Sequence, residues 1–396
     1  MDLNKLIGLA EDLKEQIVTW RRDFHQHPET GYQEFRTSEI VATHLESLGL
    51  EVKRNIGKTG VVGIFRGEEP GPTIGLRADM DALPIQDLKT VDYCSKIPGT
   101  GHLCGHDAHT SMLMGAAQLL VKLGRPKRGN IKFVFQPAEE GLAGAKAMMD
   151  DGVLENPKVD AMAGLHVFPA LPTKSIAVTK GVAFASADSI TIKIIGKGGH
   201  AARPHEAVDA ITVSAQVISA LQHVASRLVD PLDPVVVTIG KIQGGYMGTA
   251  IAPEVDMVGT VRTLSPSLRA KMPGLIETII RGVTHSFGAD YEFKYNIGYP
   301  VVVNNEGMVD FLTETSERLF GEKRWENVKP STGGEDFAFY SEAVPSVFFR
   351  LGVSNEQEYT SYPLHHPKFD LDENALPYGV AMLSAVALSY LSDSSH

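Results

Sequence analysis

DSITIKIIGKGGHAARPHEAVDAITVSAQVISALQHVASRL, residues 188–228, changes its period half-way along. Residues 188–195 read as a strand, and residues 207–228 as a helix whose Val208, Ile211, Ile218, Leu221 and Leu228 form one apolar stripe. Strands over 234–242 and 254–262 follow, then a helix over 267–287 with Leu268, Met272, Leu275, Ile279 and Val283 on one face, then a strand over 291–297. The order β-α-β-β-α-β predicts two helices on one face of a four-stranded antiparallel sheet, a ferredoxin-like unit for which ~110 residues suffice.

Outside this stretch the pattern is different. Strand-like runs over 61–65, 73–76, 131–135 and 161–167 alternate with helical ones, notably 106–123. The same alternation resumes with a helix over 307–319, a strand over 346–351 and a helix over 375–391. Such alternation predicts a largely parallel sheet covered by helices. Near the start, Leu6, Leu13, Ile17, Trp20 and Phe24 share one face of a single helix over 6–24 that Pro28 stops. The expected fold is therefore α/β: residues 1–184 and 298–396 form a domain with a mostly parallel sheet flanked by helices, and residues 185–297 form the ferredoxin-like insert.

Composition narrows the partners. With 396 residues the chain exceeds the ~250–300 at which single cores stop growing, in keeping with two domains. Its 43% hydrophobic and 21% charged residues exclude a disordered chain. A formal charge of −11 argues against nucleic acid and anionic membrane as partners. Residues 1–24 carry scattered acids and no continuous apolar core, so they read as neither secretory signal nor anchor, and no later stretch reaches the ~20 apolar residues of a membrane span. Only Cys94 and Cys104 occur, too few for a disulfide framework, which points to a cytoplasmic protein.

Candidate chemistry concentrates in a few segments. GTGHLCGHDAH, residues 99–109, places Cys104, His106, Asp107 and His109 where a glycine-rich loop enters an apolar helix. All four are metal-ligand types; the competing reading is a helix start capped by Asp107 with surface histidines. Distant donors are needed to complete a site. The strand over 131–135 runs into QPAEEG, where neighbouring Glu139 and Glu140 point opposite ways, so one can bind metal while the other shuttles protons. His166 ends another apolar strand, where ligands gather in open α/β sheets, and His365 and His366 lie in PLHHPKF.

These motifs resemble the M20 family of metallopeptidases and amidohydrolases, in its branch of N-acyl amino-acid, hippurate and indole-acetyl amino-acid hydrolases. The matching segments are RRDFHQHPETGYQEFRT, LRADMDALP, GTGHLCGHDAH, FQPAEEG, GLHV, GKGGHAARPHEAVDA, GTVRT, GGEDFAFY and HHPKFDLDE, in order along nearly the whole chain. The resemblance implies that Cys104, His106, Glu140, His166 and His365 hold two divalent metal ions and that Glu139 is the general base. His365 rather than His366 is chosen because the family's ligand stands two residues before the proline. A bridging thiolate favours manganese or zinc, with cobalt or nickel next, over magnesium, and disfavours a Cys94–Cys104 bridge.

The same resemblance assigns the oxyanion donor to His200 of the insert, reaching across a dimer interface in many relatives. Asp79 is expected to hold a ligand imidazole from behind. Arg262 is expected to clamp the substrate carboxylate, with a strand-end ion pair as the competing reading. Thr249 stands where many relatives have Asn, which predicts altered substrate contacts. The expected protein is a homodimeric, metal-dependent amidohydrolase that cleaves a small-molecule N-acyl or N-aroyl amino acid. The alternatives are a dipeptidase or carboxypeptidase with the same centre, or a non-catalytic metal-binding relative.

Overall fold

The computed structural model describes residues 3–392. The chain divides into two compact units. One comprises the segments ending at Ala183, Val303–Lys329 and the residues from Asp336 onward; the other comprises Phe184–Val302 and Pro330–Glu335. The expected return at residue 298 falls inside the last strand of the insert, Asp290–Tyr299, which pairs to Ala187 and carries the chain past it. Residues 330–335 join the second unit because Ala185 N–H donates to the carbonyl of Ser331 at 3.0 Å.

The first unit is built on an eight-stranded sheet. Its four middle strands, Arg128–Gln136, Glu69–Asp79, Ala161–Pro172 and Ser346–Ser354, are mutually parallel, and antiparallel neighbours flank them. Parallel strands covered on both faces should be apolar throughout, and Ser346–Ser354 is buried along all but its last residue. Helices His106–Leu123 and Leu376–Ser392 pack against each other and contribute Met112, Leu113, Val380 and Leu383 to the core. Glu373–Ser392 is long and apolar enough to cross a membrane, but 83% of its apolar window is buried inside the protein, as in a core helix. The expected single helix over 6–24 is two, Lys5–Glu11 and Lys14–Gln26. Both halves still bury the anticipated face, through Leu6, Ile17 and Phe24.

The second unit has a four-stranded sheet in which strands 187–195, 235–244, 254–263 and 290–299 take the spatial order second, third, first, fourth, all antiparallel. This is the ferredoxin-like arrangement. Its two helices begin at side-chain caps, Asp209 accepting from Ile211 N–H at 3.0 Å and Ser265 from Leu268 N–H at 3.3 Å. Because the first helix is Ala210–His223, Val208 precedes it. The buried face runs through Ala210, Val213, Val217 and Leu221, leaving Ile211 and Leu228 exposed. A further two-stranded ribbon pairs Gly199–His200 with Ala250–Ile251.

Candidate metal centre

The site is assembled at the carboxyl ends of the parallel strands of the first unit. Strand Glu69–Asp79 leads to Asp79 and Asp81, strand Arg128–Gln136 to Glu139 and Glu140, and strand Ala161–Pro172 carries His166. Helix His106–Leu123 starts beside them, entered through Gly105 at φ 91°. A Cβ at Gly105 would lie 2.3 Å from Val167 Cγ2, so only glycine lets the loop come this close to the strand.

Donor atoms of Cys104, His106 and His166 lie within 4.8 Å of one another, as do those of Cys104, Glu140 and His365, and those of His106, Glu139 and Glu140. Shared members make these three groups one continuous cluster. Cys104 Sγ is 3.5 Å from His166 Nε2, and His365 Nε2 is 3.1 Å from Glu140 Oε1. Two of the three rings are presented by a bond on their far side. His166 Nδ1 donates to the Val167 carbonyl at 2.7 Å, and His106 Nδ1 donates to the Asp81 carbonyl at 2.8 Å, which turns both Nε2 atoms inward. The main-chain N–H of His365 donates to the carbonyl of Leu103 at 2.7 Å, holding a residue at φ 67°.

This donor set fits divalent cations. His106 Nε2 is buried without a hydrogen-bond partner, a costly state that a cation relieves. Burial works against a charge on His106, yet Asp79 and Asp81 raise its pKa to about 10. The cluster therefore draws in positive charge. Burial, with Glu140 and Glu139 beside it, pushes the Cys104 thiol well up, so a thiolate there requires a cation. Both cysteines are free.

Not every candidate in the loop faces the cluster with a lone pair. His109 Nε2 accepts from Val167 N–H at 2.9 Å, so its proton is on Nδ1, 2.6 Å from Asp79 Oδ1. Both nitrogens are occupied, and His109 braces the site. Asp107 is not the cap of its helix: it lies buried against Arg21 at 3.2 Å and His25 at 2.6 Å. His366 turns away and stacks on Tyr362, with ring centroids 4.5 Å apart. Asp79 was expected behind a ligand imidazole; it holds His109 and, at 2.6 Å, Arg77, while the residue behind His106 is Asp81. Asp81 and Asp336 lie in the quoted segments LRADMDALP and GGEDFAFY, but nothing local in those segments singles them out.

The remaining candidates lie in the second unit. His200 lies on the small ribbon and Thr249 immediately precedes its second strand, where the Thr249 carbonyl accepts from Ala201 N–H at 3.0 Å. His200 Nδ1 accepts from Ala202 N–H at 3.1 Å, which leaves Nε2 as the outward donor. Arg262, opposite Val236 on the strand Glu254–Thr263, forms no ion pair among the described residues. Burial lowers its pKa.

The model of peptidase family M20/M25/M40 matches residues 75–389. The chain belongs to this family. It is 43% identical over 306 residues to an N-acyl-L-amino acid amidohydrolase of Geobacillus stearothermophilus, covering 77% of this chain and 82% of the relative. It is 38% identical to thermostable carboxypeptidase 2 of Saccharolobus solfataricus, over 98% of this chain and 99% of that one. Among solved structures, a dinuclear metal-binding M20 peptidase from Bacillus subtilis superposes with a TM-score of 0.83 at 36% identity, covering 96% and 99% of the two chains. As a member of the M20 family, the chain is a metal-dependent hydrolase of amide bonds. The family is dinuclear metal-binding, and small amino-acid derivatives are the substrates of its amidohydrolases.

Proposed function

We propose that the protein hydrolyses N-acyl or N-aroyl amino acids, hippurate-like compounds among them, to a carboxylate and a free amino acid. The observation that carries this reading is the convergence of Cys104, His106, Glu140, His166 and His365 with the buried Glu139 beside them. The similarity to the Geobacillus amidohydrolase supports the substrate class.

In this reading the five residues hold two divalent cations, manganese or zinc foremost, with cobalt and nickel as alternatives. When bound, such cations polarise a carbonyl and acidify a water. Glu139 takes the proton of the attacking water as its oxygen bonds to the amide carbon. It then returns that proton to the nitrogen as the C–N bond breaks. Asp336 N–H, 3.3 Å from Glu139 Oε1, orients the base. His200 Nε2–H is the donor to the developing oxyanion, Arg262 clamps the substrate carboxylate, and Thr249 supplies a single hydroxyl contact. A homodimer formed through the insert, in the cytoplasm, completes the reading.

The similarity to a carboxypeptidase favours one alternative, cleavage of peptides at the same centre. Paired assays on a dipeptide and its N-benzoyl analogue, after loading with single metals, separate the two; faster turnover of the dipeptide would replace the leading reading. In the same assay Glu139→Gln should keep its metal and lose ~10²–10⁴-fold in kcat. Near-parental turnover would remove Glu139 as base.

A further inference from the structure

The loop bearing Glu139 and Glu140 is pinned through its main chain. Ala138 N–H donates to Glu34 Oε1 at 2.8 Å, Glu140 N–H to Asp81 Oδ2 at 2.9 Å, and Ala145 N–H to Asp336 Oδ2 at 2.9 Å. Pinning is needed because Ala138 and Ala143 are left-handed, at φ 55° and 57°, without being glycine. Such a conformation persists only where the surroundings impose it.

Among these anchors Glu34 is the one with no evident structural economy. It is fully buried, and among the described residues it forms no ion pair. Its second oxygen accepts the Thr59 hydroxyl at 2.6 Å. Burial pushes its carboxyl up to about 7. A buried carboxylate without a cation is costly, and its hydrogen-bond partners here are one hydroxyl, its own main-chain N–H and the peptide immediately before the base.

We propose that Glu34 is a positioning residue of the reaction, holding the left-handed Ala138 so that Glu139 presents its carboxylate to the reacting water. This rests on Glu139 being the base. Small displacements of a reacting group are expensive, up to ~10²-fold for about 1 Å.

The test uses the metal-loaded enzyme with an N-acyl amino acid. Glu34→Ala should lower kcat at least ~10-fold while KM and metal per chain stay within about twofold. Glu34→Gln, whose amide oxygen can still accept from Ala138 N–H and whose NH₂ can donate to Thr59, should restore kcat to within about threefold. Parental kcat in Glu34→Ala, an equal rise in KM, or failure of Glu34→Gln to rescue would overturn the proposal. Should Glu34→Ala not fold, Thr59→Val loosens the same carboxyl and should reduce kcat about threefold at unchanged KM; an unchanged kcat there also overturns it. Glu139→Gln run in parallel keeps the two claims apart. Activity in that variant defeats the base assignment, whereas its inactivity beside a fully active Glu34→Ala defeats the positioning role alone.

Discussion

Asp81 grips His106 through its main-chain oxygen, 2.8 Å from Nδ1, and through Oδ1 at 3.2 Å, while its Oδ2 accepts from Glu140 N–H at 2.9 Å. One aspartate thus sets the ring of one candidate ligand and the main chain of another. Asp81→Ala should weaken metal binding by roughly 10–100-fold. Competition against a chromogenic chelator measures this, and parental affinity would show that the His106 ring is held by other means.

Asp79, two residues earlier, should behave differently. It is fully buried between Arg77 and His109, and Arg77 also reaches Gln136 and Asp336. Truncation takes from buried Arg77 one of its two carboxylate partners and from His109 Nδ1 its acceptor, so Asp79→Ala should cost up to ~3–5 kcal/mol in stability. Urea unfolding of the two variants side by side reads the contrast; equal stability of Asp79→Ala and the parent would contradict it.

Removal of metal should be felt by the fold as well as by turnover. Without a cation, Glu139 and Glu140 converge on His106, and Asp79 lies 3.7 Å from its Nε2. A ligand that binds the native state alone stabilises it by about 2.7 kcal/mol at a hundredfold excess over Kd. Calorimetry with metal and with excess chelator should show Tm falling in the chelated sample, and superimposable curves would argue against a bound ion.

Glu34 gives the pH dependence a sign. Its carboxyl titrates near 7 in the fold against 4.5 for the free side chain, so the native state disfavours the charged form. Besides burial, the Thr59 hydroxyl, the charge of Asp81, its own main-chain N–H and the Ala138 N–H are the groups that act on it. The cost is absent below about 4.5, grows as pH rises and is complete above about 7, where it reaches about 3 kcal/mol by 1.36 kcal/mol per unit. Glu34→Gln should therefore match the parent near pH 4.5 and gain on it through pH 7. Urea midpoints of both proteins across that window check the trend, and a constant difference would refute it.

Much of this architecture was legible in the chain because burial on one face leaves a period. The helix His106–Leu123 and the six main elements of the insert follow from such periods. A period does not mark where a helix breaks: the step of seven from Leu6 to Leu13 suits one helix or two. Nor does it fix the buried face to one residue, since Ile276 and Ile280 are buried where Leu275 and Ile279 are only partly so. At the site, residue types and strand ends were readable, but partners were not. His106 and His109 stand three apart on one helix, and only the approach of Val167 N–H distinguishes them. Asp79 and Asp81 stand two apart, and which imidazole each meets is decided by the helix packed against them. Glu34 is 104 residues from the amide it holds, and no local pattern announces such a contact.

The pairing of Ala187 with Tyr299 brings the first and last strands of the insert side by side, and Asp188 reinforces it by accepting from Gly298 N–H at 2.8 Å. The insert thereby works as a self-closing cassette. For the host sheet, joining strands on either side of an excursion of more than a hundred residues would carry a chain-closure penalty of about 4 kcal/mol. Once the insert has folded, its two ends are already neighbours and that penalty is largely gone. Folding of the insert ahead of the host is thus the economical order of assembly.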